Sequence, residues 1–401
     1  MARLLASETR NLAILVLCQL IFMITSIGVL TLSGVVGFQL SPDPALATLP
    51  IALMMFGTLL TTLPASLLMK RIGRRAGFML GTGIGGLGGG LLCVLAITEH
   101  SFWLFAAGNF LLGLYQSFAM YHRFAAADVT RLEVRSKAIA WVMAAGVAAA
   151  FLGPWNTSLS QHLLADQPLA GPYLVMAMLT GVALALLSRL RVPASGEPQA
   201  GEQQRSMRII ARQPAFILAV SAAAIGYAVM LLVMTATPLA MSAQGLEMRH
   251  VAQVMQWHVL GMFAPSFVTG NLIARFGLLR ILLTGCLLLA ASVMVALTGS
   301  QLGHFIAALV LLGVGWNFLF IGGSTLLTHC HNDSERGKVQ GINDLLIFSL
   351  VTLAALLAGS LLHGLGWVGL NLAMLPAIFA LLLVMLHYWR HRPIKAPSNA
   401  A

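Results

Sequence analysis

Apolar runs of about twenty residues, each long enough for a helix to cross the hydrocarbon of a bilayer, recur along the whole chain and limit what it can fold into. Twelve can be marked, approximately 11–36, 47–69, 77–98, 102–122, 138–160, 172–189, 214–237, 250–273, 279–299, 303–327, 339–362 and 366–388. With 59% hydrophobic and 9% charged residues among 401, no soluble domain could show an ordinary surface to water. The chain is expected to be an all-α integral membrane protein in contact with a lipid bilayer. Its first run is much longer than a signal-peptide core and has no clear small-residue cleavage site, so it is expected to be a retained span.

A formal net charge of +11 raises nucleic acid as a partner, but the placement of the basic residues rejects it. Lys70, Arg71, Arg74 and Arg75 follow the second run, and Arg123, Arg131, Arg135 and Lys137 follow the fourth. Of the 23 Lys and Arg, 22 fall at the termini or in alternate connections, and only Arg249 lies in the other set. By the positive-inside rule both termini are cytoplasmic, and the charge is a topology signal. Cys18, Cys93, Cys286 and Cys330 are scattered, form no CxxC pair and say little about redox compartment.

The longest basic connection, RVPASGEPQAGEQQRSMR from Arg191, is polar and rich in Gly, Pro and Gln, as flexible linkers are. It divides the chain into an N-terminal six-helix bundle (1–189), a cytoplasmic linker (190–213), a C-terminal six-helix bundle (214–388) and a cytoplasmic tail (389–401). The halves echo one another. FGTLLTTLPASLLMKRIGRR from Phe56 and LGMFAPSFVTGNLIARFGLL from Leu260 align at an offset of 204, pairing Gly57 with Gly261, Arg71 with Arg275 and Gly73 with Gly277. RSK at Arg135 echoes RGK at Arg336. Such duplication suits a transporter of two pseudo-symmetric bundles with its binding site between them.

SLLMKRIGRRAG after the second run resembles the signature loop of the major facilitator superfamily. Ser66 replaces the usual glycine there, and Lys70 stands where many members carry aspartate, so the usual charge network of that loop is not expected. Gly153 and Pro154 in the fifth run loosely resemble the antiporter motif of drug exporters. GTGIGG at Gly81 to Gly86 fits a dinucleotide-binding pattern, but no strand precedes it. Close helix packing through small residues is the better account.

Two stripes carry the chemistry. In YAVMLLVM, Tyr227, Met230 and Met234 recur on one helical face; in MQWHVLGM, Met255, His258 and Met262 do the same. The two helices run in opposite directions, and at about 1.5 Å per residue Met230 and His258 fall at similar depth in the outer half. Met230, Met234, His258 and Met262 would offer neutral thioethers and an imidazole, donors that suit Cu(I) and reject Mg²⁺. Methionine is also an ordinary filler of apolar cores. What favours a site is His258, because an ionisable side chain at membrane depth is costly and by default functional.

MxxxM followed by HxxxM also resembles the CcoA-like copper importers of the same superfamily, which supply copper for haem–copper oxidase assembly. GVGWNFLFIGGSTLL from Gly313 and QGINDLL from Gln340 resemble that branch too, which includes riboflavin importers lacking the Met/His pairs. The resemblance implies a copper importer of the bacterial cytoplasmic membrane. Met230, Met234, His258 and Met262 would hold copper as the transported substrate, and copper-delivery proteins would act downstream. Tyr227, Met255 and Asp344 are accessory candidates, no resident cofactor is expected, and the chain is expected to act as a monomer. Asp344, the one acid placed inside a run, is either a proton-coupling group or the partner of Asn343 and basic loop residues. His329, Cys330 and His331 at the end of the tenth run could receive an ion, although adjacent helical residues point apart. The rival reading is a carrier of riboflavin or another small organic molecule, its cavity lined by Asn109, Gln116, Asn156, Trp316 and Asn317. A drug or metabolite exporter is the further rival. Nothing resembles a Walker motif, so neither ATP hydrolysis nor enzyme activity is expected.

Overall fold

The computed structural model describes residues 2–131, 135–161, 163–164, 166–192, 205–332 and 335–391. The expected linker and tail therefore lie partly outside the described residues, at 193–204 and 392–401. Everything that crosses the apolar layer is helical, as it must be where no water can satisfy a backbone N–H or C=O. In chain order the main helices are α1 (Ala2–Leu40), α2 (Leu49–Ile72), α3 (Arg74–Thr98), α4 (Phe102–Ala119), α5 (Arg135–Ser160) and α6 (Ala170–Leu187). The second half contributes α7 (Pro214–Ala243), α8 (Met248–Phe263, continued by Ser266–Phe276), α9 (Leu278–Thr298), α10 (Leu302–Thr328), α11 (Arg336–Leu372) and α12 (Leu375–His391). Among the described residues, eight runs are long and apolar enough to span a bilayer, nine if bent α8 counts as one; α11 and α12 form a single run in that reckoning. Gly366, with φ of 67°, divides it. The arrangement agrees with the twelve spans expected.

The duplication extends to backbone conformation. Gly73 joins α2 to α3 with φ 86° and ψ 154°, and its counterpart Gly277 joins α8 to α9 with φ 87° and ψ 147°. Only glycine adopts that geometry readily, which explains why this pair is kept in the repeat. GTGIGG forms a π-helical segment of α3. A Cβ at Gly85 would lie 2.5 Å from Tyr115 N, and one at Gly86 would lie 3.1 Å from a Thr180 methyl. The stretch is a packing surface for α4 and α6, as the small residues suggest.

The halves meet along α1 with α7, α2 with α11, and α5 with α8. Two hydrogen bonds between them are seen among the described residues: Gly359 N donates to Thr48 Oγ1 at 2.9 Å, and Ser360 Oγ donates to Ala45 O at 3.3 Å. Both lie at the face away from the basic connections, where they tie the start of α2 to α11. On the basic face, Arg74 pairs with Asp128 of the short helix His122–Asp128. An acid thus meets the signature loop from the α4–α5 connection, although Lys70 occupies the usual acidic position.

The segment that enters α7 is tied to the α10–α11 turn. Arg205 donates from Nε and a terminal nitrogen to the Glu335 carboxylate at 2.9 and 2.7 Å, and its backbone N–H adds a third bond at 2.7 Å. The Arg205 hydrogen bond, aided by the Asn332 N–H, pulls the Glu335 carboxyl down to about 2 from an ordinary 4.5. A depressed carboxylate stabilises the folded state fully above its ordinary range and loses that contribution as pH falls toward 2. The protection of the amides at 205–212, measured against their intrinsic exchange rates at each pH, is therefore expected to fall between pH 4.5 and 2, and Glu335→Gln should lower it already at pH 7.

Candidate functional site

α8 lies between α5 and α10, and it comes very close to α10 because position 313 is glycine. A Cβ there would sit 2.6 Å from the His258 carbonyl oxygen and 2.9 Å from Met262 N. The close approach places the His258 ring against α10, where Nδ1 is 2.6 Å from Leu309 O. A carbonyl can only accept, so Nδ1 carries the proton and donates, leaving the Nε2 lone pair available. Nε2 is buried and has no partner among the described residues, on a side chain with 0% exposure.

Met230, Met234, Met255 and Met262 all belong to one buried cluster. None of the predicted copper-binding side chains faces outward; Met262, the most exposed, reaches 8%. α7 and α8 touch each other only slightly, however, and both lean on α10. The two stripes thus come from helices that share α10 as a common neighbour. Pro265 helps to end the first segment of α8, which bends by 41° into Ser266–Phe276. Asn317 braces this bend, donating to Met262 O at 2.7 Å and Ser266 Oγ at 2.6 Å and accepting from Thr269 Oγ1 at 2.7 Å.

That engagement corrects one expectation. Asn317 and Asn109 were candidates for lining an organic-substrate cavity, but both are committed to structure. Asn109 accepts from Ser33 Oγ at 2.8 Å and donates to Phe105 O at 3.0 Å. The other three candidates do keep unpartnered buried atoms: Gln116 Oε1, Asn156 Nδ2 and Trp316 Nε1.

Beside the methionines lies an aromatic group that the Met/His spacing did not reveal. Tyr227 meets Trp316 and Phe320 edge-on at 5.5 and 5.8 Å, and Trp316 stacks on Phe320 at 5.1 Å with 14° between the planes. Phe263 approaches Trp316 at 6.1 Å. Ring faces with one free indole N–H suit a planar, partly polar heteroaromatic molecule.

The accessory candidates are placed as follows. Asp344 accepts from Asn343 Nδ2 at 3.1 Å and is coupled electrostatically to Arg123, which belongs to the other half. His329 is exposed, while Cys330 is buried with its Sγ directed to Leu326 O at 3.3 Å. His331 Nδ1 bonds Asn332 O at 3.0 Å. No group of three or more His, Cys, Asp or Glu able to hold a metal occurs among the described residues. Gly153 of the exporter-like pair lets α5 pack on Ile27 of α1, to which a Cβ would come within 3.0 Å.

The Major Facilitator Superfamily pattern matches residues 15–264 and 251–401. The chain belongs to the major facilitator superfamily. It is a multi-pass membrane transporter and not an enzyme. It is 43% identical over 393 residues to the riboflavin transporter RfnT of Brucella anthropi, with 98% of each chain covered. An uncharacterised MFS-type transporter of Bacillus subtilis, YdeG, is 29% identical over 90% of this chain and 86% of its own. The fold is shared with a POT family transporter in complex with 5-aminolevulinic acid (TM-score 0.75, 13% identity, 94% of this chain and 96% of that one). It is shared also with the nucleoside transporter NupG (TM-score 0.70, 13% identity, 95% and 99% covered).

The Gly313 contact generates a prediction. Gly313→Val forces a methyl into the α8 backbone, an overpacking cost of about 1–3 kcal/mol. Thermal unfolding in detergent should move several degrees lower. Gly270→Val, where a Cβ meets nothing within 4 Å, should unfold almost as the parent does.

Proposed function

We propose that the chain is a secondary carrier that imports a small planar organic molecule, with riboflavin as the named example, across a bacterial cytoplasmic membrane. The observation that carries this reading is the 43% identity to a riboflavin transporter over 98% of both chains. The Tyr227, Trp316, Phe320 and Phe263 rings support it, since an isoalloxazine offers a large π-face and Trp316 Nε1 offers a donor. In the proposed cycle the two halves rock about this region and expose it to each side in turn. The basic connections place the termini on the cytoplasmic side.

Copper, which the Met/His spacing puts first, becomes the second reading. One observation favours it: His258 is held in the tautomer a metal ligand needs, with a buried lone pair unused and three thioethers in the adjoining core. A second-sphere carbonyl orienting the distal ring nitrogen is common at metal sites. On this reading Met230, Met234, His258 and Met262 carry the ion, and downstream delivery proteins receive it.

Reconstitution into liposomes separates the two. On the flavin reading, riboflavin accumulates, Trp316→Ala lowers its uptake about tenfold through lost stacking, and Met234→Leu has little effect. On the copper reading, Cu(I) accumulates and His258→Ala lowers its uptake by at least about tenfold. Copper flux without flavin flux would overturn the first reading, and flavin flux indifferent to His258→Ala without copper flux would overturn the second.

A further inference from the structure

A cleft of about 330 Å³ opens between α5 and α8, where the two halves meet, at the end of these helices away from the basic connections. Its two walls differ in chemistry. From α5 come Phe151, Pro154 and Trp155; from α8 come Arg249, Gln253 and Gln256, which recur at i, i+4 and i+7 on one helical face. Trp155 and Phe151 are 59% and 48% exposed, so the α5 wall is open to the surrounding acyl chains. Arg249 is the one residue among the 23 Lys and Arg that lies outside the basic set, and this cleft is where it stands.

Depth along α8 sorts the polar groups. The helix begins at Met248, so Arg249 lies at the mouth of the cleft, and at about 1.5 Å per residue Gln256 lies about 10 Å deeper. An amide at that depth meets little water and needs a partner. Neither glutamine has a hydrogen-bond partner among the described residues. At the mouth, Arg249 is met by Glu247, whose carboxylate oxygens lie 2.9 Å from Nε and 3.3 Å from a terminal nitrogen. The two side chains are 69% and 65% exposed, and a pair so open to water is weak enough to share its charges with other ions.

An amphiphile with charge at one end, acceptors below it and an apolar chain matches this order of groups. The phosphate of a phospholipid headgroup suits the Arg249 guanidinium. The ester carbonyls beneath it only accept, and the amides of Gln253 and Gln256 can donate to them. An acyl chain then lies along Phe151, Pro154 and Trp155. Glu247 selects among headgroups, because a carboxylate beside the arginine repels a purely anionic head and attracts an ammonium. We infer that this cleft binds an amine-bearing, zwitterionic phospholipid, its phosphate on Arg249 and its ammonium on Glu247. Because the walls belong to different halves, the bound lipid bridges α5 and α8 and favours the state in which they stand at this separation. The inference holds whichever cargo the chain carries.

The test adds phosphatidylethanolamine or phosphatidylglycerol, with the same acyl chains, to the full-length protein in detergent. Phosphatidylethanolamine should raise the unfolding temperature and reach half its effect at a concentration at least about fivefold lower than phosphatidylglycerol does. Glu247→Gln should remove that preference, and Arg249→Gln should weaken the effect of both lipids. Arg275→Gln, at the other end of α8, should change neither. Equal effects of the two lipids on the parent, or a preference that survives Glu247→Gln, would reduce the cleft to ordinary lipid contact and overturn the proposal. A second measurement reads the apolar wall directly. In nanodiscs with a small share of lipid brominated on its acyl chains, indole fluorescence should be quenched more by the ethanolamine lipid than by the glycerol lipid, and Trp155→Phe should abolish the excess. An excess that persists in Trp155→Phe would overturn the assignment to this cleft. So would native mass spectra showing a second copy of the chain bound in place of the lipid.

Discussion

The contact that the site depends on is the near-touching of backbones along α10. In an apolar layer helices gain little from hydrophobic association, so close packing through small residues must hold them together. α10 provides glycines on several faces: Gly313 toward α8, Gly315 against Gly285 of α9, and Gly323 toward Ala219 of α7. This helix gathers its neighbours and positions the chemistry. Leu309 orients the His258 ring, Asn317 braces the bend after Met262, and Trp316 and Phe320 supply the aromatic faces. Both substrate readings therefore draw on the same rod.

The two halves contribute different chemistry around the region between them. The C-terminal half brings polarisable groups, with thioethers, stacked rings and an imidazole lone pair in one core. Beside its interface the N-terminal half brings neutral hydrogen-bonding groups.

The fold was largely legible because bilayer thickness imposes a length that apolar runs must meet, and because charge records alternate connections. The Gly73 and Gly277 repeat was also readable, since a positive φ leaves few residue choices. Partners across helices were harder to read. Asn317 and Gln116 look alike in sequence, yet one is consumed by the α8 bend and the other is left free. Helical spacing put Met255, His258 and Met262 on one face, which is buried, but it could not tell that both stripes would pack beside α10.

At the face away from the basic loops the two halves are joined by little directional bonding. Thr48 and Ala45 on one side meet Gly359 and Ser360 on the other, the two hydrogen bonds seen between the halves among the described residues. Apolar surfaces slide and part without leaving buried donors stranded, whereas a hydrogen-bonded seam would have to be dismantled bond by bond. Where α2 meets α11, parting the halves therefore leaves few donors to be satisfied again.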